Sequence, residues 1–465
     1  MENKNAWEKY PEGNREKVLD FAEEYRKFIS SCKTERECVT EFVERARAAG
    51  FKDLKELIEN KTVLKSGDKV YYNQMGKSIA LFVMGKQPLE QGMNILGAHV
   101  DSPRIDIKQV PLYEDTQMAL LDTHYYGGVK KYQWVTLPLA LHGVFAKKDG
   151  SVVPFSIGEK TEDPVFGISD LLVHLSGDQM EKKASKVIEG EKMDILIGSI
   201  PAELAGEDKE KTKDLVKANM LAILEKMYGI KEEDFLSAEI EAVPAGAARD
   251  YGFDRSMIMG YGHDDRVCAY PSFQAILNTK DPEKTCVCLL VDKEEIGSVG
   301  ATGMHSRFFE DAVAEILELS GEYSGIKVRR AMRNSKMLSS DVSAAFDSNY
   351  PETMEKKNAA YFGMGLVFNK YTGSRGKSGS NDANAEYMAE LRHILDKNNV
   401  TFQTSELGKV DQGGGGTIAY ILANYGMQVI DCGVAVLSMH APWEIISKVD
   451  LYEALLGYEA FFREA

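Results

Sequence analysis

Cysteine is scarce in this chain: six residues in 465, Cys32, Cys38, Cys268, Cys286, Cys288 and Cys432, spread too thinly for a disulfide framework. That usage suits a reducing compartment. Long apolar runs are missing as well, with no stretch near the roughly 18 residues a membrane helix needs. The first residues, MENKNAWEKY, hold no apolar segment behind a basic start, so no secretion signal is expected and a cytoplasmic location is. Positive charge is short, the formal net charge being -16. Nucleic acid and anionic membrane are therefore excluded as partners, because both demand clustered Lys and Arg facing phosphates. Neither Pro (13) nor Gly (40) is frequent enough to signal disorder or a fibrous repeat.

Several catalytic signatures are absent too. There is no His-Glu-x-x-His helix and no G-x-S-x-G elbow. The segment GSRGKS from Gly373 lacks the spacing of a phosphate-binding loop, and no dinucleotide fingerprint follows a strand.

What remains is an ordinary globular composition, 44% hydrophobic and 28% charged, in a chain long enough for two or three structural units. The first fifty residues read as two amphipathic helices, the second opened by Thr34 with Glu37 three residues on, the spacing of a capping box. YYNQMGKSIALFVMG and GMNILGAHVDS follow as strands, the second ending at His99. From Ile105 to Val243 the texture changes to Gly-punctuated β-like segments, an acidic and lysine-rich stretch, and the helical run DLVKANMLAILEKMYGI. Residues 105–243 are read as an inserted domain, dividing a larger one made of residues 1–104 and 244–465. In the latter, CVCLLV, the run before SSDVS, and MQVIDCGVAVLSMH alternate with helical stretches such as NDANAEYMAELRHIL. Alternation of this kind predicts an α/β fold, a sheet covered by helices on both faces. Cys286 and Cys288 would share one face of their strand as small buried residues.

Five segments place a metal-type ligand at or just after an apolar run: GAHVDS, GHDDR, DKEEIGS, SSDVS and SMHAP. Delivery of His and carboxylates from several strand ends to one edge is how an α/β sheet builds an active site. Two histidines and three carboxylates without a thiolate suit zinc, manganese or cobalt in a reactive site rather than a closed structural one. Such a set can hold two ions if one carboxylate bridges, and the tandem Glu294-Glu295 then divides into a ligand and a proton acceptor.

These segments, together with HYYGGVKKYQW, TEDPVFGISDLLVHLSGD and SMHAPWEIISKVD, resemble the aspartyl aminopeptidase family, metallopeptidase family 18, over nearly the whole chain. The resemblance implies a mixed-sheet zinc-exopeptidase domain with an inserted β-rich dimerisation domain. It implies His99 and Asp341 on one ion, Glu295 and His440 on the other, Asp264 between them, Glu294 as general base and Asp101 behind His99. It also implies hydrolysis of peptides with a free amino terminus, His174 reaching a neighbouring subunit's site, and a homo-dodecamer built from dimers. Two segments depart from the family pattern: YYGGVKKYQWVTL lacks an aromatic and an Asp-Arg pair, and NKYTGSRGKSGSN is lengthened where the family builds its substrate pocket. Lys370, Arg375 or Lys377 could supply a cation for an acidic side chain there. An amidase acting on N-acyl amino acids is the other chemistry such a metal core could perform.

Overall fold

Thr34 starts its helix as its spacing predicts. The Thr34 hydroxyl accepts from Glu37 N at 3.2 Å, while the Glu37 carboxylate accepts from Thr34 N at 3.1 Å. The two amino-terminal helices run over Glu16–Ser31 and Glu35–Ala48. The computed structural model describes residues 4–204 and 212–465. One unit comprises Met1–Ser102, Ala248–Met439 and Glu444–Ala465; the other comprises Pro103–Ala247 with His440–Trp443.

The first unit is organised by a nine-stranded sheet. At its centre lie Thr285–Val291, Met93–His99, Lys336–Ser340 and Gln428–Gly433, side by side in that order and all parallel. Ser78–Val83 and Lys69–Gln74 extend one side antiparallel, and Leu366–Asn369 pairs antiparallel on the other. The central strands are mostly buried because both their faces are covered, and Thr285–Val291 is almost wholly apolar. Leu96, Cys286, Cys288, Leu338 and Ile430 share one core with Phe28, Phe42, Phe273 and Phe461 of four helices; Ile95, Val287, Leu289, Met337 and Val429 share another with Phe309, Val313 and Val328. Cys286 and Cys288 thus lie on one face, buried and unbridged. Parallel strands end their carboxyl termini at one edge, which is the edge that matters for chemistry. A smaller five-stranded sheet, including Met257–Gly260, Glu444–Ser447 and Ala435–Leu437, belongs to the same unit.

The second unit carries a six-stranded antiparallel sheet in the order Val152–Ile157, Leu139–Ala146, Ala238–Pro244, Arg104–Asp115, Met118–Tyr126, Ile195–Gly198. Helix Leu215–Tyr228 ends at Gly229, whose φ of 65° is the left-handed cap that stops a helix. Phe145, Phe155, Ile223 and Met227 help line an apolar cavity of about 630 Å³ between helix and sheet. Among the described residues no helix is long and apolar enough to cross a membrane.

Candidate metal centre

His99 is the last residue of its strand, flanked by parallel neighbours and 1% exposed. Its Nδ1 lies 3.0 Å from the Asp101 carbonyl oxygen and 3.3 Å from Asp101 Oδ1. Holding Nδ1 as the donor leaves Nε2 with a lone pair, the tautomer a ligating imidazole requires. That Nε2 lies 3.2 Å from Asp264 Oδ1, 3.8 Å from Asp341 Oδ1 and 3.9 Å from Glu294 Oε2. Although buried, it makes no hydrogen bond.

The carboxylates come from three directions. Glu294 and Glu295 lie in the turn after Thr285–Val291, at the same sheet edge as His99. Asp101 is fully buried and holds this turn by its main chain: Oδ1 accepts from Glu294 N at 3.1 Å, and Oδ2 from Glu295 N at 3.2 Å. It therefore fixes the tandem glutamates as well as the imidazole. Asp292 braces the base of the turn, its Oδ2 accepting from Thr302 Oγ1 at 2.6 Å and Lys293 Nζ at 2.9 Å.

Asp341 directly follows Lys336–Ser340, and its N–H donates to Cys432 O at 3.0 Å. Gly433 makes this close approach possible, since a Cβ there would sit 1.9 Å from Asp341 O and 3.0 Å from Cys268 Sγ. Gly433→Ala is accordingly expected to cost about 1–3 kcal/mol by overpacking. It should also weaken zinc binding, because relief requires moving the Asp341 main chain. A denaturation midpoint and zinc affinity equal to the parent's would show that the strand shifts without consequence.

Asp264 corrects one expectation. It does not leave a strand end at the main sheet's edge but lies at the start of helix His263–Asn278, where its φ of -77° and ψ of 107° are not yet helical. The Ser102 hydroxyl donates to Asp264 O at 2.6 Å, and Asp264 N donates to Glu444 Oε2 at 3.0 Å. The adjoining Asp265 is buried and accepts from His99 N at 3.3 Å. The sequence reading missed Asp265, Asp292 and Glu444. The signal available for the last was one charged residue in the otherwise apolar run WEII, which the structure buries.

Within the first unit, ligand-type atoms of His99, Asp265 and Asp341 lie within 4.8 Å of one another, as do those of His99, Glu294 and Glu295. The site is short of positive charge. Burial, followed by the charge of Asp341, pushes the Glu294 carboxyl up to about 8. Burial likewise raises Asp341, and burial with the Asp341 charge raises Asp265. Burial opposes charging of His99, yet the carboxylates of Asp101, Asp264 and Asp341 beside it outweigh that and hold it well above the ordinary imidazole range. A buried ring nitrogen without a hydrogen bond, facing carboxylate oxygens that repel one another, fits a bound divalent cation and nothing apolar.

His440 groups with the second unit, where its Nδ1 is 3.0 Å from Gly128 O. His174 sits on the turn Val173–Leu175, amid exposed Leu171, Leu172, Val173 and Leu175. Lys370 and Lys377 both bond Asp382, the latter at 3.0 Å with its ammonium 3.7 Å from the centre of the Tyr371 ring. Together they hold the Asp382 carboxyl below its usual range. The Gly/Ser-rich loop packs on the DQGGGG loop through Gly373 N to Gly415 O at 2.7 Å.

The geometry meets a consistent set of relatives. Residues 28–462 match the family described as aminopeptidase I zinc metalloprotease (M18). A probable M18 family aminopeptidase 1 of Clostridium acetobutylicum is 64% identical over 460 residues, covering 99% of this chain and 98% of that protein. The crystal structure of aminopeptidase I from the same organism superposes with a TM-score of 0.92 at 62% identity, covering 100% of this chain and 99% of the other. An M18 aminopeptidase of Thermotoga maritima superposes with a TM-score of 0.94 at 44% identity, covering 100% of both chains. The S. cerevisiae protein mApe1, solved as a dodecamer, shares the fold at 21% identity with a TM-score of 0.76, over 96% of this chain and 97% of that one. A family match across almost the full length, with relatives this near in sequence and in fold, shows that this chain belongs to the M18 zinc metallopeptidases, the aminopeptidase I family.

Proposed function

We propose that this chain is a metalloaminopeptidase that removes the amino-terminal residue of peptides, with Glu294 as its general base. The observation that carries the reading is His99 Nε2, buried without a hydrogen bond and ringed by oxygens of Asp264, Asp341 and Glu294 within 3.9 Å. Two divalent ions, zinc in the first instance, would be held by His99, Asp264, Glu295, Asp341 and His440, with Asp264 shared. When bound they supply Lewis acidity to the scissile carbonyl and lower the pKa of the attacking water.

The chain's own groups do the rest. A Glu294 oxygen takes the proton as the water O–H bond breaks and the new C–O bond forms, then gives it to the amine nitrogen as the C–N bond breaks. Asp101 keeps the Glu294 and Glu295 main chain and the His99 ring in register. Lys370 and Lys377 would have to leave Asp382 to meet an acidic side chain, so no preference for acidic first residues is part of the reading.

The inserted unit is assigned to dimerisation, in a cytoplasmic homo-dodecamer in which His174 reaches a neighbouring subunit's substrate. The exposed run Leu171–Leu172–Val173 and Leu175 supports a contact there. The test offers zinc-loaded protein the same peptides with free and acetylated amino termini. Cleavage of the free form alone supports the aminopeptidase; equal cleavage of both would turn the assignment to an amidase of N-acyl substrates.

A further inference from the structure

Glu444 opens the strand Glu444–Ser447 and pairs with Gly260 of the antiparallel neighbour Met257–Gly260. It is 2% exposed. A glutamate in so apolar a setting needs a reason, because burying a carboxylate is costly unless it is bonded. Its Oε2 accepts from the main-chain N–H of Asp264 at 3.0 Å, a contact spanning 180 residues of sequence.

That amide lies at the kinked entry to helix His263–Asn278, where Asp264 and Asp265 both have non-helical backbone angles. A capping side chain ordinarily comes from the residue just before the helix. Here the preceding residue is Gly262, which has no side chain to offer, and its φ of 75° is left-handed. Glu444 holds this entry from a distant strand. On the other side of the same residue, the Ser102 hydroxyl holds Asp264 O at 2.6 Å. The Asp264 main chain is therefore clamped at both its N–H and its C=O, and the direction of its side chain, with Oδ1 3.2 Å from His99 Nε2, follows from those clamps.

We infer that Glu444 is a positioning residue for the metal site, aiming the Asp264 carboxylate by fixing its main-chain amide. It rests on the metal-site reading above.

The experiment compares full-length wild type with Glu444→Ala, Glu444→Asp and Glu444→Gln. Each protein is stripped of metal and titrated with zinc against a chelating dye, with kcat and KM measured after reloading. Glu444→Ala is expected to weaken zinc binding about 10–100-fold, the usual loss when a ligand's supporting partner is removed. The loss should fall on kcat, leaving KM within about twofold. Glu444→Gln keeps an oxygen acceptor at the same reach and should restore most of the zinc affinity. Glu444→Asp withdraws the carboxylate by one methylene and should bind zinc more weakly than Glu444→Gln, which keeps the inference testable if the alanine variant does not fold. Wild-type zinc affinity in either folded Glu444→Ala or Glu444→Asp overturns the positioning role while leaving the metal site intact. A wild type that binds no zinc overturns the metal-site reading, and this inference falls with it.

Discussion

Glu294→Gln should lower kcat by about 10²–10⁴-fold, the range attributed to a positioned general base, while zinc content and KM stay near the parent's. Gln matches Glu in size but cannot carry the proton from water to amine. The substitution isolates that step because the position of residue 294 does not depend on its own side chain: Asp101 holds it through the main-chain N–H at 3.1 Å. Removing the charge also relieves repulsion, since burial and Asp341 already push this carboxyl up to about 8. The variant should consequently melt no lower than the parent. Single-turnover kinetics on zinc-loaded protein, with the metal counted by elemental analysis, would decide the matter. Turnover within tenfold of wild type removes Glu294 from the role, whereas loss of zinc would make it a ligand instead.

Asp264→Ala should act through the metal. Asp264 is the carboxylate assigned to both ions, so the variant should keep little zinc and show less than a thousandth of parental activity. Stability separates this from simple unfolding. A ligand present at about 1,000 times its dissociation constant stabilises a protein by about 4 kcal/mol, so zinc should raise the wild-type melting temperature and leave the variant's unmoved. Without metal the order should reverse. The Asp264 charge adds to what holds the Glu294 and Asp341 carboxyls up, and removing it eases that repulsion in the metal-free protein. A variant that still binds two zinc ions, or whose melting temperature zinc still raises, would contradict the ligand assignment.

What the sequence made legible was whatever is written locally. The Thr34–Glu37 cap spans three residues and forms as expected. Unbroken apolar runs such as CVCLLV mark strands buried on both faces, and they lie in the sheet interior. His99, Glu294, Glu295 and Asp341 follow such runs, so their arrival at one sheet edge could be anticipated. Asp264 could not be placed in the same way, because it lies beyond its strand at the start of a helix, and its main-chain N–H is held by Glu444, 180 residues away in sequence. Lys370 and Lys377 looked available until folding brought both to Asp382, which lies only five residues beyond Lys377. Nothing in the composition marks His440–Trp443 as grouping with the second unit. Asp265 and Asp292 look like any other acidic residue in the sequence, and only their burial distinguishes them.

The place of the His99 strand in its sheet has a consequence for synthesis. Met93–His99 lies between Thr285–Val291 and Lys336–Ser340, and it pairs directly with no strand that precedes it in the chain. A growing polypeptide must therefore carry this largely apolar segment with both edges open while the whole of Pro103–Ala247 is translated. Open strand edges recruit other chains, and long-range pairing of this kind forms slowly. A ribosome-associated chaperone is the natural guardian of that interval, and polysomes translating this message should hold it most densely between the codons for His99 and Ser340.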